Sequence, residues 1–121
     1  MSRILCLLVV TLLSLQLAAC GGPDCLSTCE RLYRAGTDQN GNTQCNLGES
    51  RAGGDQFDRC MDECSFAMDT VGELGDYNPQ EKLEGEDIPE LKNDQQAAVW
   101  MDCVLDASCE LLNKNVCAPV W

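Results

Sequence analysis

At 121 residues the chain has room for one domain, and eight basic against twenty acidic residues leave a formal charge of −12, which argues against nucleic acid as a partner. The same charge argues against electrostatic docking on anionic lipid head groups. Histidine is absent altogether, which excludes His-dependent triads, His general bases and His-bearing zinc sites.

Met1-Ser2-Arg3 is a short positive segment, and Ile4 to Leu17 is an apolar run too short to span a bilayer, which takes about twenty residues. Residues 1–19 therefore read as a signal peptide. The run ends in Leu17-Ala18-Ala19-Cys20, which resembles the lipobox of bacterial lipoproteins at all four positions. That resemblance implies diacylglycerol transfer to the Cys20 sulfur, cleavage before Cys20 and acylation of the new amine. Cys20 would then be the lipidation site, residues 20–24 a lipidated tether, and residues 25–121 a cysteine-rich domain. Two or three acyl chains at ~0.8 kcal/mol per buried methylene would make the membrane its first partner. Gly21 stands where many inner-membrane lipoproteins carry Asp, so the resemblance favours the outer membrane of a bacterial envelope.

Arg3 is the one basic residue before Cys20, so seven basic and twenty acidic residues follow it, a formal −13. Only 17 of the 102 residues from Cys20 onward are Leu, Ile, Val or Phe, a share that with this charge points to disorder unless covalent links replace buried area. Such links are available. Cys6 departs with the leader and Cys20 takes the lipid, which leaves Cys25, Cys29, Cys45, Cys60, Cys64, Cys103, Cys109 and Cys117, an even set expected to form four disulfides.

Residues 23–35 read as a helix, with Pro23 in the first turn, Gly36 at C′, and Cys25, Cys29, Leu32 and Tyr33 on one face. In the loop that follows, Asp38, Asn40, Asn42, Gln44, Asn46 and Glu49 occupy positions 1, 3, 5, 7, 9 and 12 of a calcium loop resembling the EF-hand. Thr43 stands where that turn demands glycine, Cys45 fills position 8, and no helix follows Glu49, so a solvated Asp/Asn/Gly turn is the preferred reading. No metal site is assigned.

Residues 56–71 read as a second helix, capped by Asp55, striped with Phe57, Cys60, Met61, Cys64, Met68 and Val71, and ended by Gly72. Each helix carries a Cys-x3-Cys pair. Cysteines four apart on a helix have β carbons about 5 to 6 Å apart, against the ~3.8 Å of a disulfide, so each pair must face another element. Antiparallel packing gives Cys25 to Cys64 and Cys29 to Cys60, the outer bridge contributing roughly 4 kcal/mol on a chain-entropy estimate. This arrangement resembles the twin Cys-x3-Cys helical hairpins of the mitochondrial intermembrane space, some of which are small chaperones for hydrophobic precursors. The likeness is confined to Cys25, Cys29, Cys60 and Cys64, and only its geometry is carried over.

Residues 72–92, rich in Gly, Pro and acid, read as a mobile loop. A third helix over 94–106 follows, with Asn93 and Gln96 as a capping box and Ala97, Trp100, Met101, Val104 and Leu105 as its stripe. Trp100, at the centre of that stripe, reads as a core anchor. A short last helix over 108–114 carries Cys109. Cys45 is assigned to Cys109 and Cys103 to Cys117, with Cys45 to Cys103 as the alternative.

The expected fold class is thus all-α, a small disulfide-stapled helical hairpin with a third helix and a short C-terminal helix. No catalytic residues and no cofactor are assigned, because neither Cys-x2-Cys knuckles nor an isolated carboxylate pair is present. The expected function is a non-enzymatic, lipid-anchored envelope module that binds a protein or peptide. The alternative is a calcium-binding envelope protein using the 38–49 loop.

Overall fold

A computed structural model describes residues 23–50, 55–81 and 88–121. Residues 1–22, which include the expected signal peptide and Cys20, and the acidic run Glu84-Gly85-Glu86-Asp87 lie outside the described residues. Among those described, the structure is helical with no strand: α1 Cys25–Tyr33, α2 Gln56–Met68, α3 Asp94–Asp106 and α4 Cys109–Asn113, plus a 3-10 turn at Leu47–Ser50.

Helix α1 starts at Cys25, two residues later than expected, because Asp24 takes the N-cap and accepts the Ser27 amide at 2.7 Å. Pro23 thus lies before the helix, not in its first turn. Arg34 is already extended, and Gly36 turns the chain at φ +88°, three residues beyond the last helical one. The chain then folds back on its own helix: Cys45 N–H donates to Arg31 O at 2.7 Å and Asn46 N–H to Arg34 O at 3.0 Å.

Helix α2 ends at Met68, three residues short of the expected 71. Val71 is 91% exposed outside the helix, and Met68 is exposed as well. The physical reason lies in the next connection, where Asp94 N–H donates to Thr70 O at 2.8 Å and Gly72 N–H to the Asp94 carboxylate at 3.2 Å. Gly72 also lies so close to Asn93 that a Cβ would sit 2.6 Å from its side chain, so close approach is what demands glycine here. Asp55 precedes the helix but makes no side-chain cap bond.

The hairpin is antiparallel. Cys25 joins Cys64 and Cys29 joins Cys60, with Cα separations of 5.7 and 5.8 Å. Cys45 joins Cys109 at 5.2 Å and Cys103 joins Cys117 at 5.6 Å. Cys29, Cys60 and Cys64 are fully buried, so sulfur fills part of the core that aliphatic side chains fill elsewhere.

Helix α3 covers both hairpin helices. Its start is reciprocal: Asn93 accepts the Gln96 amide at 3.1 Å, while the Gln96 side chain accepts Lys92 N–H at 3.0 Å, one residue before the cap itself. Ala97, Trp100, Met101 and Val104 are buried, but Leu105, expected on the same stripe, is exposed. Ser108 caps α4 by accepting Leu111 N–H at 3.3 Å.

The tail completes the core. Ala118, Val120 and Trp121 are buried, and the fully buried Trp100 indole N–H is shared between Cys117 O at 3.1 Å and Pro119 O at 3.0 Å. Trp121 meets the Trp100 ring edge-on at 5.9 Å. The Tyr33 hydroxyl accepts Trp121 N–H at 2.8 Å and donates to Trp121 O at 3.2 Å, tying α1 to the tail.

The connection expected to be mobile is instead packed where it is described. Asn93 donates to Glu73 O at 2.8 Å, Gln96 to Leu74 O at 3.2 Å, Tyr77 to Ala118 O at 2.7 Å, and Cys117 N–H to Pro79 O at 2.8 Å. Burial raises the Tyr77 pKa, so its phenol stays a donor at all ordinary pH.

Trp100→Ala is expected to cost about 3 to 5 kcal/mol in urea or thermal unfolding. Trp100→Phe, which keeps a ring but leaves two carbonyls without their shared donor, should cost less, about 1 to 3 kcal/mol.

Candidate functional site

An open cleft of about 820 Å³ lies between α1, the 38–44 turn and the junction of α3 with α4. Four carboxylates line it: Glu30 from α1, Asp38 from the turn, and Asp102 and Asp106 from α3. Leu105 adds an apolar wall, which accounts for its departure from the core stripe.

Arg31 is the one cation in this lining, and its guanidinium is committed to the backbone. Nη2 donates to Ala107 O at 2.8 Å, and Nη1 donates to Thr43 O and lies 3.3 Å from Cys109 Sγ. A single side chain thus spans α1, the turn and the start of α4. The Cys45–Cys109 bridge joins the chain just past that turn to the start of α4 covalently.

The 38–44 turn is built by Asp38. Its Oδ1 accepts Asn40 N–H and Asn42 N–H, both at 2.8 Å, and its Oδ2 accepts the Asn42 side-chain amide at 3.0 Å. Asp38 N–H donates back to Asn42 O at 2.9 Å, and Gly41 takes φ +82° at the tip. The bond from the Asn42 side chain, followed by that from its amide, holds the Asp38 carboxyl below the ordinary aspartate pKa.

These contacts bear on the calcium alternative. Position 1 of that loop already has both carboxylate oxygens engaged by amides of the turn, and the carbonyl of Thr43, at position 6, receives the Arg31 cation. Cys45 is drawn away to Cys109, and the Glu49 side chain lies outside the described residues. Among the described residues, no group of three or more His, Cys, Asp or Glu is placed to hold a metal ion.

The eight cysteines of the domain are brought together in four pairs, whereas Cys20 lies outside the described residues. Sequence reasoning passed over Arg31 altogether. Its signal is faint: a lone arginine in the last turn of a helix is common, and only the return of the chain at 43–45 gives it carbonyls to hold.

No protein-family model matches the chain, and no curated protein or solved structure matches it.

Two outcomes follow. Carboxyl-resolved NMR should place the Asp38 titration below the ordinary aspartate range, and Asn42→Ala should raise it. Because the folded-state pKa is depressed, the stabilisation from this turn is present above the unfolded pKa and is lost as pH falls through the folded one. Calorimetric titration with calcium should show no binding tighter than about millimolar, the weak end for extracellular modules.

Proposed function

We propose that the chain is a lipid-anchored protein of a bacterial envelope, carrying a non-enzymatic domain that binds a protein or peptide. The observation that carries the proposal is Leu17-Ala18-Ala19-Cys20 at the end of an apolar run, with Asp24 capping the first helix only four residues later. At about 3.3 to 3.6 Å per extended residue, a lipid on Cys20 would hold the domain within roughly 15 Å of the bilayer surface. Among the described residues no helix is long and apolar enough to cross a membrane, so the lipid would be the attachment. Gly21 after Cys20 favours the outer membrane.

The four bridges suit an oxidising compartment. Histidine is absent, Arg31 is committed to backbone carbonyls, and the cleft is lined mainly by carboxylates, amides and hydroxyls, a lining that suits contact with a partner. Its acidity would favour a partner segment carrying Lys or Arg, mainly through the rate of encounter.

Metabolic labelling with a fatty-acid analogue tests the anchor. The wild type should take the label and sediment with membranes, while Cys20→Ser should be unlabelled and released. Equal labelling of both would refute lipidation at Cys20.

A further inference from the structure

The four bridges differ sharply in their surroundings. Cys29–Cys60 is fully buried, Cys103–Cys117 is buried, and Cys25–Cys64 has one buried cysteine, whereas Cys45 and Cys109 are both partly exposed. Cys109 also lines the open cleft. Both cysteines of this bridge thus keep some solvent exposure, whereas each of the other three bridges has at least one buried cysteine.

Its electrostatics differ too. Arg31 Nη1 is 3.3 Å from Cys109 Sγ, and the guanidinium is held there by Thr43 O and Ala107 O. The nearest comparison is Cys103, whose sulfur receives only the neutral Gln80 amide at 3.5 Å. A fixed cation beside a sulfur stabilises the thiolate, which makes that sulfur a better leaving group and a stronger acid once free.

We propose that Cys45–Cys109 is a thiol-exchange site, opened by an external dithiol while the other three bridges remain closed. One thiolate of the dithiol bonds to Cys45 Sγ as the Cys45–Cys109 bond breaks, and the electron pair leaves on Cys109 beside Arg31. The reagent's second thiol gives up its proton and attacks the mixed disulfide, which releases Cys45 to be protonated. The dithiol is oxidised to a disulfide by two electrons, and the protein gains one thiol and one thiolate. Glu30, Asp38, Asp102 and Asp106 line the cleft with Cys109 and disfavour a reagent that carries further negative charge, so the fitting class is a dithiol whose body is otherwise neutral or cationic.

Reclosure is built in. Cys45 N–H stays bonded to Arg31 O and Asn46 N–H to Arg34 O, while Ser108 holds the start of α4. The two sulfurs therefore remain neighbours after opening.

The oxidised full-length protein should be exposed to dithiothreitol at neutral pH, trapped at intervals with iodoacetamide, and mapped by peptide mass. Cys45 and Cys109 should be labelled about tenfold sooner than the other six, with helical circular dichroism retained and the bridge restored by cystamine, a cationic disulfide. Arg31→Gln should slow opening severalfold and move the pH profile of Cys109 alkylation in the opened protein upward, and Arg31→Lys should recover part of both. Prior or simultaneous opening of another bridge overturns the proposal. So does a folded Arg31→Gln variant that matches the wild type in rate and pH profile. If that variant does not fold, the order of opening in the wild type decides.

Discussion

Two cysteines one helical turn apart cannot bond to each other, and the molecule is organised by that prohibition. The sulfurs of α1 must find α2, and the nested order Cys25 to Cys64 and Cys29 to Cys60 is possible only when the helices run antiparallel. With the hairpin fixed, one broad face is left for α3 to cover, and Trp100 is the side chain that covers it. The tail then closes over Trp100, because an indole N–H buried without a partner would be costly, and the carbonyls of Cys117 and Pro119 supply that partner.

Charge is managed less by pairing than by covalent restraint. Arg59 and Lys114 each meet a carboxylate one turn away on their own helices, at exposed positions where such pairs contribute little. Arg34 lies 4.1 Å from the centre of the Phe57 ring, and Arg31 serves carbonyls. The large acidic excess is therefore left on the surface, where self-repulsion would loosen a domain of this size. Four cross-links oppose that loosening whatever the salt concentration, which ion pairs do not.

The hairpin, α3 and the nested bridges were legible in the sequence because each rests on a strong local period: cysteines at i and i+4, and apolar residues around Trp100. Boundaries were less legible. The stripe of α2 runs on to Val71 in one dimension, yet the chain leaves the helix at Met68 because Thr70 and Gly72 are claimed by the start of α3, a contact that no local window contains. The segment 73–79 read as part of a mobile loop because 72–92 is rich in Gly, Pro and acid; what anchors it, besides the Tyr77 hydroxyl, is its backbone carbonyls, which have no signature in residue type. The tail was missed for a related reason, since Asn115 and Cys117 take left-handed φ values of 61° and 64° that few non-glycine residues adopt. The acidic cleft is legible as composition but not as a place, because Arg31, Thr43 and Ala107 meet only after the chain has turned back twice.

The order of the cysteines along the chain has a consequence for biosynthesis. None of the four bridges joins neighbours in that order: Cys25 passes over Cys29, Cys45 and Cys60 to reach Cys64, and Cys103 passes over Cys109 to reach Cys117. In a chain oxidised as it emerges amino end first, the earlier cysteine of every bridge meets at least one wrong partner before the right one. Cys29 and Cys45 are both present before Cys60 exists, and Cys45 waits for almost the whole domain before Cys109 appears. Where oxidation keeps pace with emergence, reaching the native set therefore requires early bridges to be reshuffled, and the isomerisation of those bridges, more than the speed of their formation, would set the yield.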